Sequence, residues 1–304
     1  MHLIVKILVT GASGLLGSKL IRELLSKKYE VVALYNRNPI PVDSEKLVKV
    51  KLNIVNRVLL EDLILKTKPD VIVHAAAFTD VDGCERNKAY AWKVNVEATR
   101  SIVRTARVVK SHLIYVSTDY VFDGEKGLYR ENDVPNPINY YGLTKLIGEE
   151  LVRASDLLYT IVRTSAIYGV SGGKKSFAEY VAEKLSCGEK VYALVDQYVS
   201  PTNNILLAKA IAEIVDMVPM GTLHVAGERM NRYEFAVKIA ETLKLPVKLV
   251  EKASIEDMRS WVARRPKDSS LSICRAKKIL KSRFYDTDLA LELFKQEWLR
   301  AKAR

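Results

Sequence analysis

The chain has 304 residues, 48% hydrophobic and 28% charged, which suits one large globular domain or two modest ones. No apolar run is long enough to span a membrane, and the opening MHLIVKILVTGASG lacks a signal-peptide layout, so a cytoplasmic protein is expected. The net charge of +12 is spread without a basic tail or an aromatic-interleaved patch, which favours phosphate-bearing small ligands and argues against nucleic acid or a membrane as partner.

Cys84, Cys187 and Cys274 are far apart with no CxxC, and read as free thiols. Two glutamines, Gln197 and Gln296, stand beside many Lys and Glu, a bias of proteins from hot environments.

In chain order, Ile4 to Val9 is a short β-branched run that predicts a buried parallel strand. Gly11-Ala-Ser-Gly14-Leu-Leu-Gly17 follows, and Leu16, Leu20, Leu24 and Leu25 then mark a helical stripe. At such a turn the first glycine permits the bend. The second admits a pyrophosphate to the backbone, and the third lets helix pack on strand. The helix N-terminus offers free N–H groups to phosphate. A dinucleotide is therefore expected here. The spacing is GxxGxxG, the variant of the short-chain dehydrogenases/reductases.

YEVVALYNR predicts the next strand. An NAD enzyme usually carries Asp or Glu at its end, roughly twenty residues past the glycines. Asn36 and Arg37 stand there instead. Arg37 can pair with a 2′-phosphate, which favours NADP(H), with NAD(H) the other possibility; it also reads as a solvated loop residue. Val71 to His74 predicts a third strand ending in Ala75, Ala76 and Ala77, whose small side chains either leave room for a cofactor or pack under the sheet. His74 reads as a core histidine. AYAWKVNVEATRSIVRTARVV predicts a helix and HLIYVSTDYVF a strand. These β-α-β units imply an α/β fold, a doubly wound parallel sheet of Rossmann type. Further on, SFAEYVAEKLSCGEK, ILLAKAIAEIVDMV and NRYEFAVKIAETLKL predict helices.

YYGLTK, residues 140–145, opens an amphipathic helix after a Pro-rich loop. Tyr141 and Lys145 are four apart, on one helical face. That spacing alone carries little.

GASGLLG, YVSTDYVFDG, NYYGLTKLIGEE, VRTSAIYG, DQYVSPT, GTLHVAG and RRPKDSSL occur in an order that resembles the extended short-chain dehydrogenases/reductases, and within them the dTDP-4-dehydrorhamnose reductases. The resemblance covers nearly the whole chain. It implies NADPH-dependent reduction of the C4 ketone of a dTDP-6-deoxyhexulose, giving dTDP-L-rhamnose or a close relative. It implies catalytic Thr118, Tyr141 and Lys145, with Lys145 lowering the phenol pKa and holding the nicotinamide ribose. The cofactor positions that it implies are Gly11, Ser13, Gly14, Leu15, Leu16, Gly17, Asn36, Arg37, Asn53, Ile54, Ala75, Ala76, Ala77, Tyr141 and Lys145. The substrate positions are Thr79, Val81, Thr118, Asp119, Tyr120 and Arg265, the last in an RP motif near the phosphates. Asp82, Glu85 and Asn95 match supporting positions, and Asp196, Gln197, Pro201 and Thr202 a segment leading to the substrate lobe.

Related 4,6-dehydratases carry Glu where Tyr120 stands, so the match suits reduction without elimination; Tyr120 also reads as strand-end packing. Three departures are Ala166 in place of a sugar-stacking aromatic, Val199 in place of glycine, and Asn53 in place of an adenine-contacting Asp. The resemblance further implies a homodimer or monomer, with Mg²⁺ assisting assembly but no metal ligands assignable. The NADP-binding regulatory β subunit of methionine adenosyltransferase shares the STDYVFDG and YGxTK segments, so a non-catalytic role is the alternative. The expected domains are 1–167 plus about 200–226 for NADP, and about 168–199 plus 227–304 for a smaller mixed α/β substrate lobe. His224 reads as structural.

Overall fold

The structure, a computed structural model, describes residues 5–170 and 175–303. The amino-terminal part alternates strands and helices: β1 (Lys6–Thr10), α1 (Gly17–Ser26), β2 (Glu30–Tyr35), β3 (Leu47–Lys51), α2 (Arg57–Thr67) and β4 (Val71–His74). Then come α3 (Val81–Arg86), α4 (Lys88–Trp92), a π-helical turn Lys93–Glu97, α5 (Ala98–Val109), β5 (His112–Thr118), α6 (Tyr140–Arg153) and β6 (Tyr159–Thr164). The first strand, expected from Ile4, begins at Lys6; Ile4 lies outside the described residues.

Beyond it follow β7 (Ile167–Tyr168), α7 (Phe177–Ser186), β8 (Val191–Leu194), β9 (Tyr198–Val199), β10 (Thr202–Asn203) and α8 (Asn204–Met217). The chain ends with β11 (Gly221–His224), β12 (Met230–Asn231), α9 (Arg232–Leu243), β13 (Val250–Ala253), α10 (Cys274–Ile279) and α11 (Thr287–Lys302).

Seven strands form one parallel sheet in the order β11-β6-β5-β4-β1-β2-β3. The inner strands β1, β2, β4, β5 and β6 are buried on both sides, which explains their apolar runs, while the edge strand β3 is largely exposed and carries Lys49 and Lys51. Alternate residues serve opposite layers. Ile7, Val9, Val31, Val73 and Ile114 pack with Leu20 and Leu24 of α1 and Leu207 and Ile211 of α8. Leu8, Val32, Ile72 and Leu113 pack with Leu60 of α2 and Ile102 of α5. Helices thus cover both faces. The order reverses between β1 and β4, so the crevice at the carboxyl ends of these strands opens there.

Downstream of β6, β8 and β13 pair in parallel, and α7 and α9 carry buried Val181, Leu185, Phe235 and Ile239. Both helices start on full capping boxes, Ser176 with Glu179 and Asn231 with Glu234.

Candidate active site

A cavity of about 740 Å³ lies along the carboxyl ends of the strands. One end is the turn between β1 and α1. Gly11 adopts φ +71°, and a Cβ on it would lie 2.8 Å from Ala76 N. A Cβ on Gly17 would lie 2.1 Å from Gly11 O, so helix and turn touch only because that side chain is absent. Gly11, Ser13, Gly14, Leu15, Leu16 and Gly17 all line the cavity, as do Asn36, Arg37, Asn53, Ile54, Ala75, Ala76 and Ala77. Asn36 and Arg37 are exposed, and among the described residues Arg37 joins no ion pair. A glycine cradle that Cβ atoms would fill, followed by a helix N-terminus and an uncommitted guanidinium, fits a phosphorylated dinucleotide.

At the other end stand Thr79, Val81, Thr118, Asp119, Tyr120, Tyr141 and Lys145. Thr118 closes β5 and Tyr141 lies in the first turn of α6. The Thr118 hydroxyl is within hydrogen-bonding reach of the Tyr141 phenol. It also bonds to Asp119 Oδ1 at 3.0 Å and accepts from Tyr120 N at 3.2 Å. The Tyr120 ring meets Tyr141 edge-on, centroids 6.1 Å apart. Lys145 Nζ donates to Val116 O at 2.8 Å and lies 4.1 Å from the Tyr115 ring centre.

Burial pushes the Tyr141 phenol well above its ordinary value; the Thr118 bond opposes this and the Asp119 charge adds to it. Burial also pulls the Lys145 ammonium down to about 7, with Glu149 opposing. The expected lowering of the phenol by Lys145 is not what these contacts produce. Desolvation sets the direction at the phenol, and burial disfavours the charge on Lys145 itself. The phenol is therefore held in its protonated form, the form that donates.

Supporting contacts fix this end. Asn139 caps α6 by accepting from Gly142 N at 2.8 Å, and Glu85 accepts from Tyr140 N at 2.7 Å. Asn95 projects from the π-helical turn. It accepts from Phe78 N and donates to Thr144, tying the cavity wall after β4 to α6. Glu149, one turn past Lys145, is fully buried on Arg163 at 2.7 and 2.9 Å and accepts from Ser117. His74 sits between Thr10 and Thr99 and burial holds it neutral.

Arg265 is placed differently from the other expected residues. It does not line the cavity; it forms a two-point bridge to Asp82 at 2.9 and 3.1 Å, donates to Ala263 O and stacks on Trp261. Asp82 also takes Val262 N and Ala263 N, which fixes that loop.

Other lining residues include Ala166, which the sequence marked as a departure, and Thr164, Phe177 and Arg232, which had no signal in the sequence. Thr164 pairs with Thr118 across β5 and β6, and its buried hydroxyl has no partner among the described residues. Ala166 lines the wall at φ +41°. Phe177 and Arg232 come from the starts of α7 and α9. The NRYEF stretch predicts a helix start, but nothing local says that its arginine reaches a cavity.

A doubly wound parallel sheet, a glycine turn at its first crossover and a Thr/Tyr/Lys set at the neighbouring strand ends define an extended short-chain dehydrogenase/reductase. The chain belongs to the family described as the RmlD substrate binding domain, matched over residues 5–297. A solved structure from Sulfolobus tokodaii, titled a hypothetical dTDP-4-dehydrorhamnose reductase, is 46% identical, with 94% of this chain and 99% of that one covered and a TM-score of 0.85. The dTDP-4-dehydrorhamnose reductase of Bacillus anthracis, solved with NADP, is 29% identical, covering 97% and 100%, TM-score 0.86. Among curated relatives, the probable low-salt glycan biosynthesis reductase Agl14 of Haloferax volcanii is 35% identical over 87% of this chain and 89% of its own. The bovine methionine adenosyltransferase 2 subunit beta is 31% identical over 89% and 81%.

Among the described residues, no helix is long and apolar enough to cross a membrane. No group of three or more His, Cys, Asp or Glu there could hold a metal, so the Mg²⁺ that the resemblance implies finds no ligand set.

Proposed function

We propose that this protein reduces the C4 ketone of a dTDP-linked 6-deoxyhexulose, giving dTDP-L-rhamnose or a close relative, with NADPH as the preferred cofactor. The observation that carries this reading is one cavity joining the glycine turn and Arg37 to Thr118, Tyr141 and Lys145. When bound, the reduced nicotinamide supplies a hydride. Gly11 to Gly17 would hold the pyrophosphate, and Arg37 a 2′-phosphate.

Thr118, which lines the cavity, would hold the ketone oxygen by hydrogen bonding and so orient the carbonyl. As negative charge develops on that oxygen, the protonated Tyr141 donates its proton to it. The carbonyl carbon gains a hydride and the oxygen a proton, leaving an alcohol and a tyrosinate. Lys145, on the same helical face, then favours the phenolate when charged and assists its reprotonation. Tyr120 supplies no carboxylate beside the ketone, which favours reduction over elimination.

A second reading is an NADP-binding regulatory subunit. It is supported by the likeness to the bovine β subunit and by Ala166, which offers no ring for a sugar to stack on. One assay separates the two. Purified protein is mixed with NADPH or NADH and dTDP-4-keto-6-deoxyhexose made in situ by a dehydratase and an epimerase. Loss of reduced nicotinamide that needs both the sugar and Tyr141 supports the reductase. Tight NADP(H) binding with no turnover sinks it for this substrate and sends the search to a partner enzyme.

A further inference from the structure

Two guanidiniums from the carboxyl-terminal part of the chain stand in opposite situations. Arg265 is spent on Asp82, Ala263 O and the Trp261 face. Arg232, at the first position of α9, lines the cavity itself. Its Nε donates to the neutral Gln197 Oε1 at 3.2 Å, and its plane lies 5.1 Å from the Phe177 ring centre. Among the described residues it joins no ion pair, and its terminal amino groups have no protein acceptor.

A guanidinium offers five N–H donors, so most of this fork faces the cavity uncommitted. Its surroundings are partly dry, and burial disfavours its charge. The carboxylate whose charge acts on it is Asp119, whose oxygens already take Thr118, Ser165 and Ser269. Gln197 and Phe177 fix the side chain without neutralising it. An arginine held this way is prepared for an anion brought in by a ligand.

The location selects the anion. The dinucleotide's pyrophosphate belongs at the β1–α1 turn, on different elements. Arg232 instead comes from the carboxyl-terminal part of the chain and lies near enough to Tyr120 and Asp119, neighbours of Thr118, for their charges to interact. A ketone held at Thr118 would put the far end of a hexose ring on this side of the cavity. The only charged group of a nucleotide-linked deoxyhexulose is the diphosphate at that end.

We propose that Arg232, rather than Arg265, grips the diphosphate of the sugar-nucleotide substrate and gives the cavity its preference for a nucleoside diphosphate. This rests on the sugar-nucleotide reading above.

The test is calorimetric titration of the NADP⁺-bound protein with dTDP, dTMP and thymidine. Wild type is compared with Arg232→Gln, Arg232→Lys and Arg265→Gln. Losing a two-point charge-assisted contact weakens binding by about tenfold to a hundredfold. That loss is expected for dTDP with Arg232→Gln, with thymidine and NADP⁺ affinities unchanged, and a smaller loss with Arg232→Lys. Turnover is expected to suffer in KM more than in kcat. If neither Arg232 variant loses dTDP affinity, or if Arg265→Gln alone does, the assignment is overturned while the reductase reading stands. If wild type takes up NADP⁺ but binds no nucleoside diphosphate among dTDP, UDP and GDP, the reductase reading falls and this assignment with it.

Discussion

Lys145→Met should stabilise the protein, and by an amount that depends on pH in a stated direction. Burial takes the Lys145 ammonium from its ordinary 10.5 down to about 7. At about 1.4 kcal/mol for each pH unit, that is about 5 kcal/mol. The Val116 carbonyl and the Tyr115 ring both favour the charged form, so the figure is a ceiling. Below about pH 7 both folded and unfolded chains hold the proton, and the full penalty applies. Between about 7 and 10.5 the unfolded chain keeps a proton that the folded chain has released, so wild-type stability rises with pH. Methionine fills similar space without the charge. Urea unfolding of both proteins at about pH 7 and about pH 9 cancels every other titrating group in the difference. Wild type should gain about 2 kcal/mol on the methionine variant across that interval. Stability curves that run parallel over the interval would refute the buried, depressed lysine.

Other perturbations reach different parts of the site. Glu149→Gln should cost about 3–5 kcal/mol in denaturant unfolding, because it leaves Arg163 buried without its carboxylate; a loss under about 1 kcal/mol would mean that Arg163 finds other partners. Thr164→Val removes a buried hydroxyl with no protein partner among the described residues, so the unfolding free energy from urea titration should rise by about 1 kcal/mol while ligand affinity falls. Arg37→Ala should weaken NADPH about tenfold in fluorescence titration and leave NADH unchanged; equal losses for both would assign Arg37 to general attraction.

How much of this was legible in the sequence varies with how local the cause is. β1, the glycine turn and α1 are continuous in the chain, and the reason for each glycine acts within a few residues, so Gly11 and Gly17 read directly. The Tyr141–Lys145 spacing is likewise local, but its electrostatics are not. The direction of both shifts is set by burial under neighbouring strands, which no spacing reveals. The long helix expected over AYAWKVNVEATRSIVRTARVV is three pieces. Its π-helical turn brings Asn95 onto Phe78 and Thr144, a local widening that helix propensity alone does not announce. Arg265 leaves its expected place, and Arg232, for which the sequence held no expectation, lines the cavity, both for a long-range reason. Asp82, 183 residues away, captures the first, and the packing of α9 delivers the second to the cavity.

The two functional readings predict different energetics at position 145. A chain whose task is to bind a dinucleotide and a partner protein would use Lys145 only as a donor to the nicotinamide ribose, a task that does not call for a pKa near neutrality. An apolar residue there would raise its stability at the expense of cofactor affinity alone. A chain that must supply a proton from Tyr141 and recover it does need an amine one helical turn away, with a pKa close to neutral. The same reasoning applies to Glu149 and Arg163, an ion pair buried at 0% and 1% exposure. Such a pair adds little net stability against well-packed apolar residues, but it fixes the helix that carries Tyr141 and Lys145. The site thus spends stability on orientation and proton affinity. That arrangement suits a reductase, so the Lys145→Met comparison bears on function as well as on folding. A variant that gains stability and loses turnover places Lys145 in the reaction. A variant that gains stability with turnover intact removes the energetic argument for the reductase.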